Sequence, residues 1–278
     1  MINELKLPTP IVSVGWLHDH LNHPNLVVLN ATIPKVTENR SNTKESQIPS
    51  TRFFDLKNKF SDVSAPFPTT FPSVTQFEKE VQTLGINKNS VLVVYDDKGI
   101  FSSPRVWWLF KAFGFNNVAV LDGGFPAWKH AGFRTEEKQV FNGDNGDFQA
   151  KLQPKYMKFF EDVKKESIDR KHLIIDARSE NRFNSLEVEP REGLRSGTIP
   201  NSVNLPFENL LDNQGLLKPI SEIKRMFQPL AETNQAITFS CGSGITACVL
   251  ALGAELAGYN NLSVYDGSWT EWGSLTAG

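Results

Sequence analysis

The chain has 278 residues, 40% of them hydrophobic, with 29 basic side chains against 31 acidic ones and a net charge of −2. That length suits two domains rather than one, and the apolar content supplies a sizeable core. The charge balance argues against a general nucleic-acid binder.

Residues 1–15, MINELKLPTPIVSVG, carry an acid and two prolines and lack a long apolar core. Neither a signal peptide nor a membrane span is expected there. Further along, LVVLNAT (26–32) reads as a buried strand, and TQFEKEVQTLG (75–85) as a helix ended by glycine. VLVVYDD (91–97) is a second strand. It leads into SSPRVWWLFKAFGFNNVAVLDGGFPAW (102–128): a helical stretch, Gly-Phe-Asn-Asn, then an apolar run closing on Asp122-Gly123. The Gly/Asn/Asp-rich FNGDNGDFQAKLQP (141–154) reads as a linker.

The same order then repeats. LIIDARS (173–179) matches LVVLNAT, Ile199-Pro200 matches Ile48-Pro49, and AITFSCG (236–242) matches the VLVVYDD region. SGITACVLALGAELAGYNNLSVYDGSW (243–269) matches the long segment, with Gly258-Tyr259-Asn260-Asn261 and Asp266 in register with their first-copy counterparts. Strands alternating with helices require crossovers and hence a parallel sheet. The expected fold is α/β, with two tandem domains related by duplication. Each is a mainly parallel sheet flanked by helices, over 1–140 and 155–278.

The copies differ at one position. Asp96 stands where Cys241 stands in the second copy, so thiol chemistry at this point belongs to the second domain alone. Both cysteines lie in SCGSGITAC (240–248), a poor disulfide framework that fits a reducing, cytoplasmic setting. Cys248 falls in an apolar helical run and reads as core. Cys241 stands at the carboxyl end of a strand, where open α/β sheets bind ligands, just before a helix. Gly242, Ser243 and Gly244 let the loop curl around the sulfur. The curl's N–H groups and the helix start both favour thiolate over thiol.

Several chemistries drop out. Cysteine phosphatases need an arginine six residues after the cysteine, and Ala247 occupies that place. There is no CxxC motif, the five histidines are scattered, and only His172 falls in the second domain. A redox pair, a metal site and a Cys-His protease are therefore unsupported. What remains is a nucleophilic thiolate that takes up something small, such as a sulfur atom.

CGSGIT (241–246), DARSENRF (176–183), EPREG (189–193) and YDGSWTEWG (265–273) together resemble the tandem-domain sulfurtransferases of the rhodanese superfamily, specifically the 3-mercaptopyruvate sulfurtransferases. The resemblance spans nearly the whole chain. It implies a Cys241 persulfide, formed as pyruvate leaves and discharged to a thiol acceptor, thioredoxin-like or of low molecular weight, or to cyanide in an assay. It implies no cofactor or metal, and no nucleic acid or membrane as partner. Arg182 and Arg191 match the two arginines that bind the substrate carboxylate and keto oxygen. Ser243 matches a loop serine that assists proton handling, with helix capping as its plainer role. Gly242, Gly244, Ile245 and Thr246 complete the active-site loop, and Asp176 and Arg178 act as structural pins for it.

Neutral Gly242 and Ser243 favour mercaptopyruvate, whereas thiosulfate-preferring members carry basic residues there. The first-domain segment facing the site, FFDLKNKFSDVSAPFPTTFPS (53–73), departs from the family pattern. Lys57 and Pro68 replace an aspartate and a histidine, which puts a Ser-His-Asp relay in doubt. Lys57 adds positive charge that would ease use of thiosulfate. A thiosulfate sulfurtransferase, a persulfide carrier and a non-catalytic rhodanese-like module stay open as alternatives.

Overall fold

The computed structural model describes residues 5–33, 46–169 and 172–277. The first half contains β1 (Ile11–Val12), α1 (Val14–His20), β2 (Leu26–Asn30), β3 (Ser46–Gln47), β4 (Arg52–Phe53), α2 (Val74–Thr83), β5 (Val91–Tyr95), α3 (Ser103–Ala112), β6 (Val118–Leu121), α4 (Gly124–His130) and β7 (Glu136–Glu137). The second contains β8 (Met157–Lys158), α5 (Phe160–Glu166), β9 (Leu173–Asp176), α6 (Glu180–Phe183), β10 (Ser202–Asn204), α7 (Ile220–Phe227), β11 (Ile237–Ser240), α8 (Ala247–Leu256), β12 (Leu262–Tyr265) and α9 (Ser268–Leu275).

The apolar runs are the central strands. VLVVY of β5 is buried at all five positions, and ITFS of β11 and LSVY of β12 at all four. Strands covered by helices on both faces have this pattern. One sheet runs β1-β6-β5-β2-β4 and the other β8-β12-β11-β9-β10, all neighbours parallel. The two orders are the same order, which carries the duplication into topology. A short antiparallel pair, β3 with β7, is an addition of the first half.

The repeat extends to single turns. Thr51 N–H donates to Ile48 O at 3.3 Å and Ser202 N–H to Ile199 O at 3.1 Å. Proline is second in each turn, and the third residues, Ser50 and Asn201, have φ of 60° and 58°. Both are type II turns, placed just before the last strand of each sheet. Gly114 and Gly258, at φ of 81° and 94°, end the equivalent helices α3 and α8.

Those two helices form the joint. All of α3 and residues 247–254 of α8 are buried, because each covers the other. A helix apolar all round has this fate. Lys111 of α3 pairs with Glu255 of α8 and lies over the Trp107 ring. The repeated Asp-Gly motif adds a reciprocal clasp. Asp122 Oδ1 accepts from Leu217 N–H of the second half at 2.9 Å, and Asp266 Oδ2 from Phe71 N–H of the first at 2.7 Å. The segment 141–154 is tied to the first half, with Phe148 buried, Lys151 N–H on Phe113 O and Gln153 N–H on Ala112 O.

Candidate active site

Cys241 directly follows β11 and is 2% exposed. The helix expected over 246–258 runs from Ala247 to Leu256. Residues 241–246 form the loop that Cys241 heads. Four successive loop carbonyls are drawn outward. Cys241 O accepts from Trp269 N–H at 3.0 Å, and Gly242 O from Thr270 N–H at 2.9 Å and Thr270 Oγ1 at 2.5 Å. Ser243 O accepts from Thr69 Oγ1 at 2.9 Å, and Gly244 O from Cys248 Sγ at 3.4 Å. A planar trans peptide turns its N–H away from its C=O. The N–H groups of Gly242, Ser243 and Ile245 thus face the other way, and among the described residues none of them finds a protein acceptor. This is an anion nest.

The first copy shows what such a nest holds. Asp96, at the position of Cys241, is fully buried. Its Oδ2 accepts from the N–H groups of Phe101, Ser102 and Ser103, each at 2.9 Å, and from Ser103 Oγ at 2.7 Å. A carboxylate fills the first loop, whereas in the second loop the N–H groups of Gly242, Ser243 and Ile245 have no protein acceptor among the described residues.

Ser268 braces the 241–246 loop. Its Oγ accepts from Cys241 N–H and Gly244 N–H, both at 3.1 Å, donates to Tyr265 O at 2.9 Å, and lies 4.0 Å from Cys241 Sγ. Ser268 has φ 49°, matching Gly124 at φ 53° in the first copy. The equivalence is direct, since Phe125 N–H holds Asp96 O as Trp269 N–H holds Cys241 O. A serine at a left-handed position costs backbone energy that glycine would not. The hydroxyl is what the second copy gains.

The two glycines of the loop have different reasons. Gly244 has φ +71°, and a Cβ there would meet Asp266 O at 2.5 Å. Gly242 lacks a left-handed φ; its Cβ would meet Arg182 Nη2 at 3.2 Å and Arg191 Nη1 at 3.9 Å. A side chain at position 242 would crowd the Arg182 guanidinium and touch that of Arg191. Ile245 is buried, and Ser243 and Thr246 line the cleft. The cap of α8 is Thr246, so capping is not the role of Ser243.

Arg182 is held by a buried chain of charges. Asp176 ends β9 beside β11 and binds Arg178 through Nε at 2.9 Å and Nη2 at 2.7 Å. Arg178 Nη1 reaches Glu189 Oε1 at 2.7 Å, and Glu189 Oε2 accepts from Arg182 Nη2 at 2.6 Å. The Arg178 guanidinium also lies over the Trp269 ring at 4.7 Å. Asp176 and Arg178 thus act on the arginine segment, and Arg178 reaches the loop only by way of Trp269, whose N–H holds Cys241 O. Arg191 O accepts from Leu194 N–H at 3.2 Å, while its guanidinium makes no hydrogen bond among the described residues. Burial pulls its guanidinium below the usual value, with Cys241 acting in the opposite sense and Arg182 adding to the lowering.

A cleft of about 1120 Å³ between the two halves opens onto Cys241. Lys57 and Pro68 line it, as the segment 53–73 suggested. The residue that touches the loop, however, is Thr69, at φ 58°, through Ser243 O. Buried Arg105 of α3 binds Thr69 O at 3.2 Å and pairs with Asp266, tying the first half to the back of the loop. Cys248 is fully buried, and burial pushes its thiol up to about 12. Core packing is thus its place, with a bond to Gly244 O added.

Sequence reasoning assigned no role to Glu189, Ser268, Thr270, Thr69 or Arg105. Glu189 and Ser268 lay inside quoted motifs. The signal for Arg105 was a lone charge in the apolar stretch SSPRVWW.

Two tandem α/β domains, only one of which heads its anion nest with cysteine, define the class. The profile described as Rhodanese-like domain matches residues 13–131 and 160–275, and the chain belongs to that family. Among its relatives, 3-mercaptopyruvate sulfurtransferase of Mus musculus is 38% identical over 94% of this chain and 91% of its own. Thiosulfate/3-mercaptopyruvate sulfurtransferase 1, mitochondrial, of Arabidopsis thaliana is 39% identical over 95% of this chain and 76% of its own. The crystal structure of the 3-mercaptopyruvate sulfurtransferase SseA from Escherichia coli superposes with a TM-score of 0.84 at 32% identity, covering 94% of this chain and 99% of that one.

Proposed function

We propose that the chain is a 3-mercaptopyruvate sulfurtransferase working through a persulfide on Cys241. The Cys241 sulfur attacks the thiol sulfur of 3-mercaptopyruvate. The carbon–sulfur bond breaks, its electron pair goes to carbon, and the enolate takes up a proton to leave as pyruvate. An acceptor thiolate then attacks the outer sulfur, carries it off as its own persulfide and restores Cys241. This is ping-pong covalent catalysis.

The observation that carries the reading is the pairing of an unfilled anion nest at Cys241 with Arg182 and Arg191 over Gly242. A planar guanidinium suits a carboxylate. Ser243 is read as the proton-handling hydroxyl. A thioredoxin-like or low-molecular-weight thiol is read as acceptor, in a reducing, cytoplasmic setting. Residues 141–154 are read as the linker between the two units. The names of the mouse and Escherichia coli proteins support this donor. Thiosulfate is the second reading, favoured by Lys57 in the cleft and by the double name of the Arabidopsis relative. No helix among the described residues is long and apolar enough to cross a membrane.

Mass spectrometry of the intact chain after adding 3-mercaptopyruvate tests the proposal. One added sulfur atom is expected on the wild type and none on Cys241→Ser. Sulfur retained by Cys241→Ser would refute it.

A further inference from the structure

Glu189 is a buried carboxylate beside a site that must bind anions. Asp176 already pairs with Arg178, in bonds of 3.2, 2.9 and 2.7 Å from the guanidinium. Glu189 shares its carboxylate between Arg178 at 2.7 Å and Arg182 at 2.6 Å, and Arg191 lies within its electrostatic reach. Across the connected cluster, the three guanidiniums of Arg178, Arg182 and Arg191 and the two carboxylates of Asp176 and Glu189 leave a single net positive charge over Gly242, apart from any charge on the Cys241 sulfur. The other charged groups lining the cleft, Lys57, Asp62, Glu187 and Glu208, are more exposed and better screened by solvent.

We propose that Glu189 is a specificity-determining residue that positions Arg182 and cuts the arginine cluster to one unit of net charge, matching a monoanionic thiol-keto-acid donor over a dianionic one such as thiosulfate. The donor part of this inference rests on the proposed function; the charge part does not.

Glu189→Gln removes the charge and keeps an acceptor, whereas Glu189→Asp keeps the charge and shortens the arm. With 3-mercaptopyruvate and thiosulfate as donors, the ratio of kcat/KM values should move toward thiosulfate by about tenfold in E189Q. That follows from one added positive charge meeting one extra negative charge several ångströms away. In E189D the ratio should stay within about threefold of wild type while both rates fall, since Arg182 shifts but the charge does not. An unmoved ratio in E189Q, or the same shift in both variants, overturns the proposal.

A second arm needs no turnover. Sulfate and methanesulfonate have nearly the same shape and differ in charge. Each is tested for protection of Cys241 against alkylation. Wild type should bind them within about threefold of each other, and E189Q should favour sulfate by about tenfold. A wild type that favours sulfate by about tenfold or more overturns the proposal even if E189Q fails to fold. Absence of a persulfide with either donor would defeat the activity reading and leave this arm standing.

Discussion

Replacing Ser268 by alanine removes one hydroxyl and leaves two buried N–H groups, those of Cys241 and Gly244, without the acceptor they share. Ser268 is fully buried, so water does not substitute. Each unsatisfied buried N–H costs about 1–3 kcal/mol, and relaxation of a loop of small residues leaves a net cost of about 2–4 kcal/mol. For a chain of this size, 1 kcal/mol moves Tm by roughly 2–4 °C, so a fall of about 5–15 °C is expected. At room temperature the variant remains folded, and its kcat/KM then reports the loop. Letting the N–H of Cys241 and Gly244 swing toward new partners should lower kcat/KM tenfold or more, about 1.4 kcal/mol for each factor of ten. Ser268→Gly copies Gly124 of the first half. It relieves the left-handed strain, about 1 kcal/mol, and should be more stable than Ser268→Ala yet no more active. Thermal unfolding with steady-state kinetics on the three proteins decides. A Ser268→Ala protein that melts within about 2 °C of wild type with kcat/KM within about twofold refutes the bracing role.

Gly244→Ala should be worse. Its Cβ falls 2.5 Å from Asp266 O at φ +71°, so stability should drop by more than the ~1–2 kcal/mol of the backbone term, with activity near background. Replacing Arg182 or Arg191 by alanine should lower kcat/KM for 3-mercaptopyruvate about ten- to a hundredfold or more, from the loss of charge-assisted bonds to the carboxylate. A thiol reagent at neutral pH should label Cys241 and spare Cys248, whose thiol is pushed up to about 12 by burial; peptide mapping after labelling reads this. The same shift has a sign. A thiol raised in the folded state loses stability as pH climbs above its ordinary 9.0 toward about 12, and Cys248→Ala should flatten that decline in denaturant midpoints measured at rising alkaline pH.

The sequence by itself determined the elements, the duplication and the place of the reactive sulfur. These are carried by neighbours in the chain: apolar runs such as VLVVY and ITFS, a glycine after each buried helix, and Asp96 standing in register with Cys241. Even the two type II turns could be read from Ile-Pro pairs, since proline presets the second turn position. The working parts of the site were decided by contacts distant in sequence. Thr69 meets Ser243 across 174 residues, Arg105 meets Asp266 across 161, and Ser268 meets Cys241 across 27. No local pattern encodes such pairings: the first two arise only when the two halves dock, and the third only when β11 and β12 pair in one sheet. Gly242 and Gly244 look alike in the loop, yet a Cβ on one would crowd the Arg182 guanidinium while the other is needed for φ +71°. Glu189 sits in a motif beside Arg191 but spends its charge on Arg178 and Arg182. The direction of a buried side chain depends on the three-dimensional packing around it, and there the tertiary structure alone set the charge of the cleft.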